Sequence, residues 1–308
     1  SHGLLAVGPD LQLTTGEKAW PFLFETYGEI ETIGGEALIG FPVTASRQVV
    51  DPASGITETI EVRVEPHTDL ILKAMTEIGA KPDWKVTVEG REFTLGHLYR
   101  HSMYRTWVEG DAVGYQEFNN TPWALQSLAT WAPADLAWTA EGGRSTDLSD
   151  YTHTLFEAYR DKTKFLRDAK ADGRTPQKRG QGMWEYTCGG SHYFQGVAYA
   201  LARGYGTDAD RQALKEEIDL LFWRFQFELE QLESLIMQRP DARLLLMDQR
   251  LKFTGHMVES LFKVAALGLF VPTPEQEELM KQAVGQLVAT VAVLADMKVF
   301  QNLGRVRE

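Results

Sequence analysis

The chain has 308 residues, 44% hydrophobic, 11% aromatic and 24% charged, the proportions of a globular protein with a sizeable core rather than a disordered or collagen-like chain. Its 31 Lys+Arg against 43 Asp+Glu give a net charge of -12, which opposes binding to polyanions, so nucleic acids and anionic membrane surfaces are not expected partners. The single cysteine, Cys188, excludes an intramolecular disulfide framework and a multi-cysteine zinc site.

The start, Ser1-His2-Gly3, has the look of a tag remnant with no charged-then-apolar leader after it, and the compartment stays open. From Trp20 to about Val64 the pattern favours extended structure. Residues 36–43 are apolar and β-branched, 56–64 alternate, and Asp51-Pro52-Ala53-Ser54-Gly55 between them is a turn signal. This predicts an N-terminal β-rich arm over 1–65, packed on the rest because two strands do not stand alone. After Pro66 the period becomes helical, and 66–308 is expected to form one mainly α domain.

Within that domain 67–75 aligns on 120–128 without a gap, bringing Gly90-Arg91 onto Gly143-Arg144 and Leu95 onto Leu148. Both stretches read as helix, short hairpin, helix, the first hairpin turning at Glu89-Gly90. Helices opening at His192 and His256 join the same register, with an apolar residue five positions on in every case: Leu72, Leu125, Val197 or Leu261. Each of these last two is followed by an amphipathic helix. One covers 208–237 with Leu214, Ile218, Leu221, Phe225 and Leu229 on one face; the other covers 274–295, opened by Thr273-Pro274 and acidic in its first turn. The stretches 264–271 and 287–295 are the longest apolar ones and fall short of the roughly 20 residues that span a bilayer, so no membrane insertion is expected.

Alternation of buried and half-exposed helices implies an inner and an outer ring. Over roughly 66–297 the pattern resembles the (α/α) toroids of terpenoid cyclases, protein prenyltransferases, lanthionine cyclase-like proteins and polysaccharide lyases, on helix alternation alone. The fold expected is mainly α, an (α/α) toroid or incomplete α/α barrel with short β-hairpins; the competing architecture is an irregular bundle or solenoid.

The register places His67, Asn120, His192 and His256 at the starts of four inner helices, where a toroid would bring them to one mouth of its cavity beside unpaired backbone N–H groups. The densest chemistry lies in 182–194, where Trp184, Tyr186, Cys188, His192 and Tyr193 surround Gly189-Gly190. Cys188 and His192 are spaced for two ligands, and His256 or Glu259 would complete a tetrahedral zinc site. Cys188 through His192 superficially resembles the cysteine- and histidine-bearing helix starts of lanthionine cyclases and prenyltransferases, without their second cysteine. The lyase resemblance implies a metal-free chemistry instead, with His192, Tyr193 and His256 as acid–base groups, Asn120 (or Asn119) as donor, and Arg250 opposing developing negative charge.

Substrate contacts are expected from His67, Trp184, Tyr186, Glu259 and Arg250, with Trp123 and Trp131 as further stacking candidates. Glu185, Asp248 and Glu259 are the carboxylates for a hydrolytic variant. The basic loop 170–182, with Arg174, Lys178 and Arg179, reads as a lid or as an ordinary solvated connection. Phosphate-loop, nucleophile-elbow and His-Glu-x-x-His patterns are absent. The function read from these residues is a carbohydrate-active lyase or hydrolase needing no cofactor, acting on a small-molecule or carbohydrate ligand. The alternatives are a noncatalytic ligand-binding or scaffold protein and a zinc-dependent toroid enzyme.

Overall fold

A computed structural model describes residues 2–50, 55–65, 67–105, 115–176, 180–181, 184 and 189–298, and of residues 2, 49–50 and 115–122 the backbone alone. Among the described residues the protein is mainly helical, with ten helices and four separate antiparallel strand pairs. They fall into two compact units, 1–152 and 153–308.

The first unit opens with α1 (His2–Val7) and α2 (Ala19–Tyr27). The expectation of extended structure from Trp20 fails here. Pro21 stands in the first turn of a helix, where a missing N–H costs nothing, and α2 buries Ala19 and Phe24. Two hairpins follow, β1 (Glu29–Ile33) with β2 (Glu36–Gly40), and β3 (Thr44–Val50) with β4 (Thr57–Arg63). The turn expected at 51–55 lies outside the described residues except for Gly55.

Then comes helix–hairpin–helix twice over. The first comprises α3 (Leu70–Glu77), β5 (Lys85–Val88), β6 (Arg91–Thr94) and α4 (Leu95–Arg105). The second comprises α5 (Tyr115–Trp131), β7 (Ala137–Thr139), β8 (Ser145–Asp147) and α6 (Leu148–Ala171). Leu95 and Leu148 are each the first residue of their helix. Between β5 and β6, Glu89 and Gly90 both have positive φ (50° and 73°), the signature of a two-residue turn that matches strand twist.

The boundary expected at 65/66 falls inside this first unit. Leu4, Phe24 and Ile39 are fully buried, α1 packs on α3, α2 on β5, and β2 on α4. Gly40 lets α4 approach that closely, since a Cβ there would lie 2.7 Å from the His101 ring. Glu31 accepts from the Arg105 guanidinium at 2.6 Å and so fastens β1 to the end of α4. The β3–β4 hairpin is mostly exposed; Arg47 lies 5.8 Å from the Phe22 ring.

The second unit contains the rest of α6, then α7 (Ser191–Ala202), α8 (Asp208–Gln238), α9 (Arg243–Ala266) and α10 (Pro274–Asp296). The two amphipathic helices read from sequence are α8 and α10. Each is opened by a reciprocal capping box: Thr207 with Asp210, and Thr273 with Gln276. A single 3-10 turn, Pro240–Ala242, joins α8 to α9, which packs on α7, α8 and α10.

The start of α9 at Arg243 corrects one expectation. His256 stands well inside a helix, because nothing between Pro240 and Gly268 interrupts helical backbone and Gly255 is tolerated within it. Asn120 likewise lies inside α5, and His67 precedes α3 rather than opening it. Of the four residues expected at helix starts, His192 alone is there, as the second residue of α7.

α6 is tied to its neighbours by buried polar contacts. Arg167 and Arg160 both face the Glu217 carboxylate on α8, the second at 3.5 Å, and burial pushes that carboxyl above its usual range despite the two guanidiniums. Tyr159 stacks on Tyr193 of α7 at 5.5 Å. By length and composition α10 alone among the described helices passes as a bilayer-spanning candidate, with 22% of that stretch buried.

Candidate functional site

Three side chains of the second unit that could each offer a metal-ligating atom come together: His192 from α7, and His256 and Glu259 from one face of α9. The entry to α7 explains the first. Gly189 and Gly190 both have positive φ (40° and 72°), and Arg224 of α8 donates to the Gly189 carbonyl. A Cβ on Gly189 would lie 2.0 Å from the Arg224 guanidinium, so glycine is required by both backbone and space. Arg224 is itself fixed by an ion pair with Glu228 and by the Trp184 ring 4.6 Å away.

A second tie holds α7 to α9 below the histidines. Buried Gln195, one turn after His192, donates from Nε2 to Ser260 Oγ at 2.9 Å, and Ser260 Oγ donates to the His256 carbonyl at 2.7 Å. The two imidazoles therefore meet edge to face, centroids 4.5 Å apart at 80°. Glu259 Oε2 lies 3.9 Å from His256 Nδ1, one helical turn along the same face. Lys263 Nζ stands 3.7 Å from the other Glu259 oxygen and donates to Gln195 Oε1 at 3.4 Å.

The three ligating atoms lie within 4.8 Å of one another, and all three residues are half-buried. A tetrahedral zinc with bonds of about 2.1 Å needs ligand separations of about 3.4 Å, so modest side-chain rotation closes the set around an ion. Two histidines and one carboxylate leave a fourth position open, the ligand count of catalytic zinc sites. Without a metal, the same trio is an imidazole pair beside a carboxylate, equipped for proton transfer.

Other residues singled out in the sequence have structural employment. Tyr193 is fully buried and donates its hydroxyl to the Leu155 carbonyl at 2.7 Å, the contacts of a core residue. Trp184 is buried too, its indole N–H donating to the Lys162 carbonyl at 2.9 Å. Arg250 faces Glu233 of α8 at 3.6 Å, and Asp248 accepts from Lys252 one turn along α9 at 2.7 Å. His67 packs on buried Trp123 in the first unit, ring centroids 5.0 Å apart. The side chains of Asn119 and Asn120, and all of Glu185, Tyr186, Cys188, Lys178 and Arg179, lie outside the described residues.

A second group, His153 with Glu157 and Asp210, also meets the distances for a metal. Asp210 is already committed there, accepting from the Thr207 N–H at 2.8 Å as a cap and facing His153 Nδ1 at 2.9 Å. In the first unit, burial and the proximity of Asp69 raise the Glu65 carboxyl, whose Oε1 accepts from the Ile71 N–H at 3.0 Å at the start of α3. Burial raises Asp69 as well, and its backbone sits at φ 63°.

Sequence reasoning named His192, His256 and Glu259 but not Gln195, Ser260, Lys263 and Arg224, which position them. Their one sequence signal was spacing, since Gln195 and Ser260 follow the two histidines by a single helical turn. No family model, curated protein or solved structure matches the chain.

Proposed function

We propose that the chain is an enzyme whose centre is His192–His256–Glu259, holding a divalent transition metal, zinc in the first instance, and acting on a small polyhydroxylated substrate. The observation that carries this reading is the meeting of the three ligating atoms within 4.8 Å at a half-buried position. His192 and His256 supply neutral nitrogens and Glu259 a carboxylate, a donor set suited to zinc, iron or cobalt rather than to magnesium or calcium. The metal would supply Lewis acidity at the open position. The chain's own groups do the rest: Lys263, which donates to Gln195, faces Glu259 and orients it, and Ser260 holds the α9 backbone at His256.

Carbohydrates and related polyols remain the substrate class of this proposal, because adjacent hydroxyls are natural oxygen donors to a metal with an open position. With it goes an (α/α) toroid, complete or incomplete, as the architecture; the short link from α8 to α9 supports consecutive antiparallel helices.

The test is calorimetric titration of metal-stripped protein with Zn2+, followed by turnover assays on neutral and acidic sugars. Stoichiometric binding is expected, weakened at least about tenfold by His256→Ala or Glu259→Gln with little change in melting temperature. Turnover restored by zinc completes the reading. Absence of binding in the wild-type protein defeats the metal centre; sugar binding without turnover defeats the enzyme.

A further inference from the structure

α10 meets the rest of the second unit on one side only. Met280, Ala283, Thr290 and Leu294 are buried, and α9 is the helix they pack against. The opposite side carries Val284, Val288 and Val291, exposed by 37%, 62% and 41%, interleaved with exposed Gly285, Ala289 and Ala292. These positions recur at helical spacing, so they form one continuous stripe rather than scattered apolar residues. No charged residue interrupts it between exposed Lys281, one turn after exposed Glu277 and Glu278, and exposed Asp296, two residues before exposed Lys298.

We infer that this face binds a second copy of the same chain, α10 against α10, antiparallel about a two-fold axis between Val288 and Ala289. The charges bordering the stripe favour a second copy in the antiparallel direction. Lys281 and Asp296 lie about 22 Å apart along the helix at 1.5 Å per residue, and Asp296 projects about 60° around the helix from Lys281, so both border the exposed face. Antiparallel pairing about that midpoint sets Lys281 of each copy against Asp296 of the other, at both ends. Parallel pairing would set like charges together.

The small residues admit close approach of the backbones, with the valines filling the spaces beside them, and antiparallel alignment also opposes the two helix dipoles favourably. The contact is isologous and closes, so it yields a dimer and not a fibre. One helix face is small against the ~800 Å2 per partner of a standard interface, so a weak, reversible dimer is expected. A bilayer is the less suited occupant, because Glu275, Glu277 and Glu278 crowd one end of α10 and the chain carries a net charge of -12.

Sedimentation velocity on the full chain, across a hundredfold range around micromolar concentration, reads the result directly. A monomer–dimer equilibrium is expected. Val288→Glu should abolish it without lowering the melting temperature, since that side chain is mostly exposed. Lys281→Asp and Asp296→Lys should each weaken it about tenfold or more, and the double variant should restore it, because swapped charges remain complementary only in the antiparallel arrangement. The inference is overturned by a monomer at every concentration, by a dimer indifferent to Val288→Glu, or by charge variants that add without rescue. Val288-dependent binding to phosphatidylcholine vesicles by a monomeric protein would overturn it in favour of a membrane surface.

Discussion

At Gly189 the backbone stands at φ 40° with the Arg224 guanidinium packed where a side chain would project, and the next residues enter α7 and present His192. Alanine at this position meets both a backbone penalty and a steric one, and Gly189→Ala is expected to cost about 1–3 kcal/mol in unfolding free energy. Arg224→Lys isolates the positioning role. A lysine keeps the charge but not the planar fork that reaches the Gly189 carbonyl while facing Glu228. Zinc affinity should then fall about tenfold, in calorimetric titration, with a smaller loss of stability than Gly189→Ala causes. Unchanged affinity would assign Arg224 to core packing alone. Residues of this kind were not legible in the sequence, because an arginine within an amphipathic helix reads as a solvated face; only the fold turns it inward.

Among the helices, the capping boxes are the places where local sequence and structure agree most closely. Thr273→Ala removes the acceptor for the Gln276 N–H and leaves only the backbone half of the box, so urea unfolding should show a loss of about 1 kcal/mol with an unchanged denaturant slope. Thr207→Ala should cost a similar amount, since it removes the acceptor for the Asp210 N–H while the Asp210 carboxylate keeps the backbone N–H of residue 207 and His153. Start signals of this kind, with a steady 3.6 period, made α8 and α10 readable to within a residue or two. The Glu89-Gly90 turn did the same for β5 and β6. The failures came where period and punctuation conflicted. Trp20 to Tyr27 is rich in aromatics that also suit strands, and the helix depends on burial of Phe24 against Phe41, ring centroids 5.0 Å apart, a contact that a local pattern does not display. For α9 the residues ahead of His256 carry exposed Leu244 and Leu245, which blurred the amphipathic signal and hid the true helix start. The site was legible in kind, because histidines are scarce and Glu259 shares a helix face with His256. That His192 meets His256 depends on the packing of α7 against α9, which spacing alone does not supply.

For the molecule as a whole the consequence lies in how stability responds to pH. The chain folds as two compact units, and the first buries a pair of carboxyl groups that sequence reading passed over. Burial, with Asp69 nearby, pushes Glu65 up to about 8, and burial pushes Asp69 up to about 6. Both values lie above the ordinary carboxylate range, so between that range and the folded values the folded unit holds protons that the unfolded chain has released. The associated stability is fully present below the unfolded values and is lost as pH rises through the folded ones, at up to about 1.4 kcal/mol per pH unit for each group. Glu31, whose bond from Arg105 holds its carboxyl low, acts in the opposite sense and at lower pH. Glu217 shares the sign of Glu65 but belongs to the second unit. Glu65→Gln isolates the first unit's contribution, because a glutamine oxygen still accepts from the Ile71 N–H and does not ionise. In calorimetry, wild type and variant should unfold with similar free energies near pH 4. The variant should then gain on the wild type steadily as pH rises toward 8, flattening the first unit's profile. A difference that stays constant over that interval would place Glu65 ionised in the folded protein, and the bonds from Asp69 and Ile71 would then outweigh its burial.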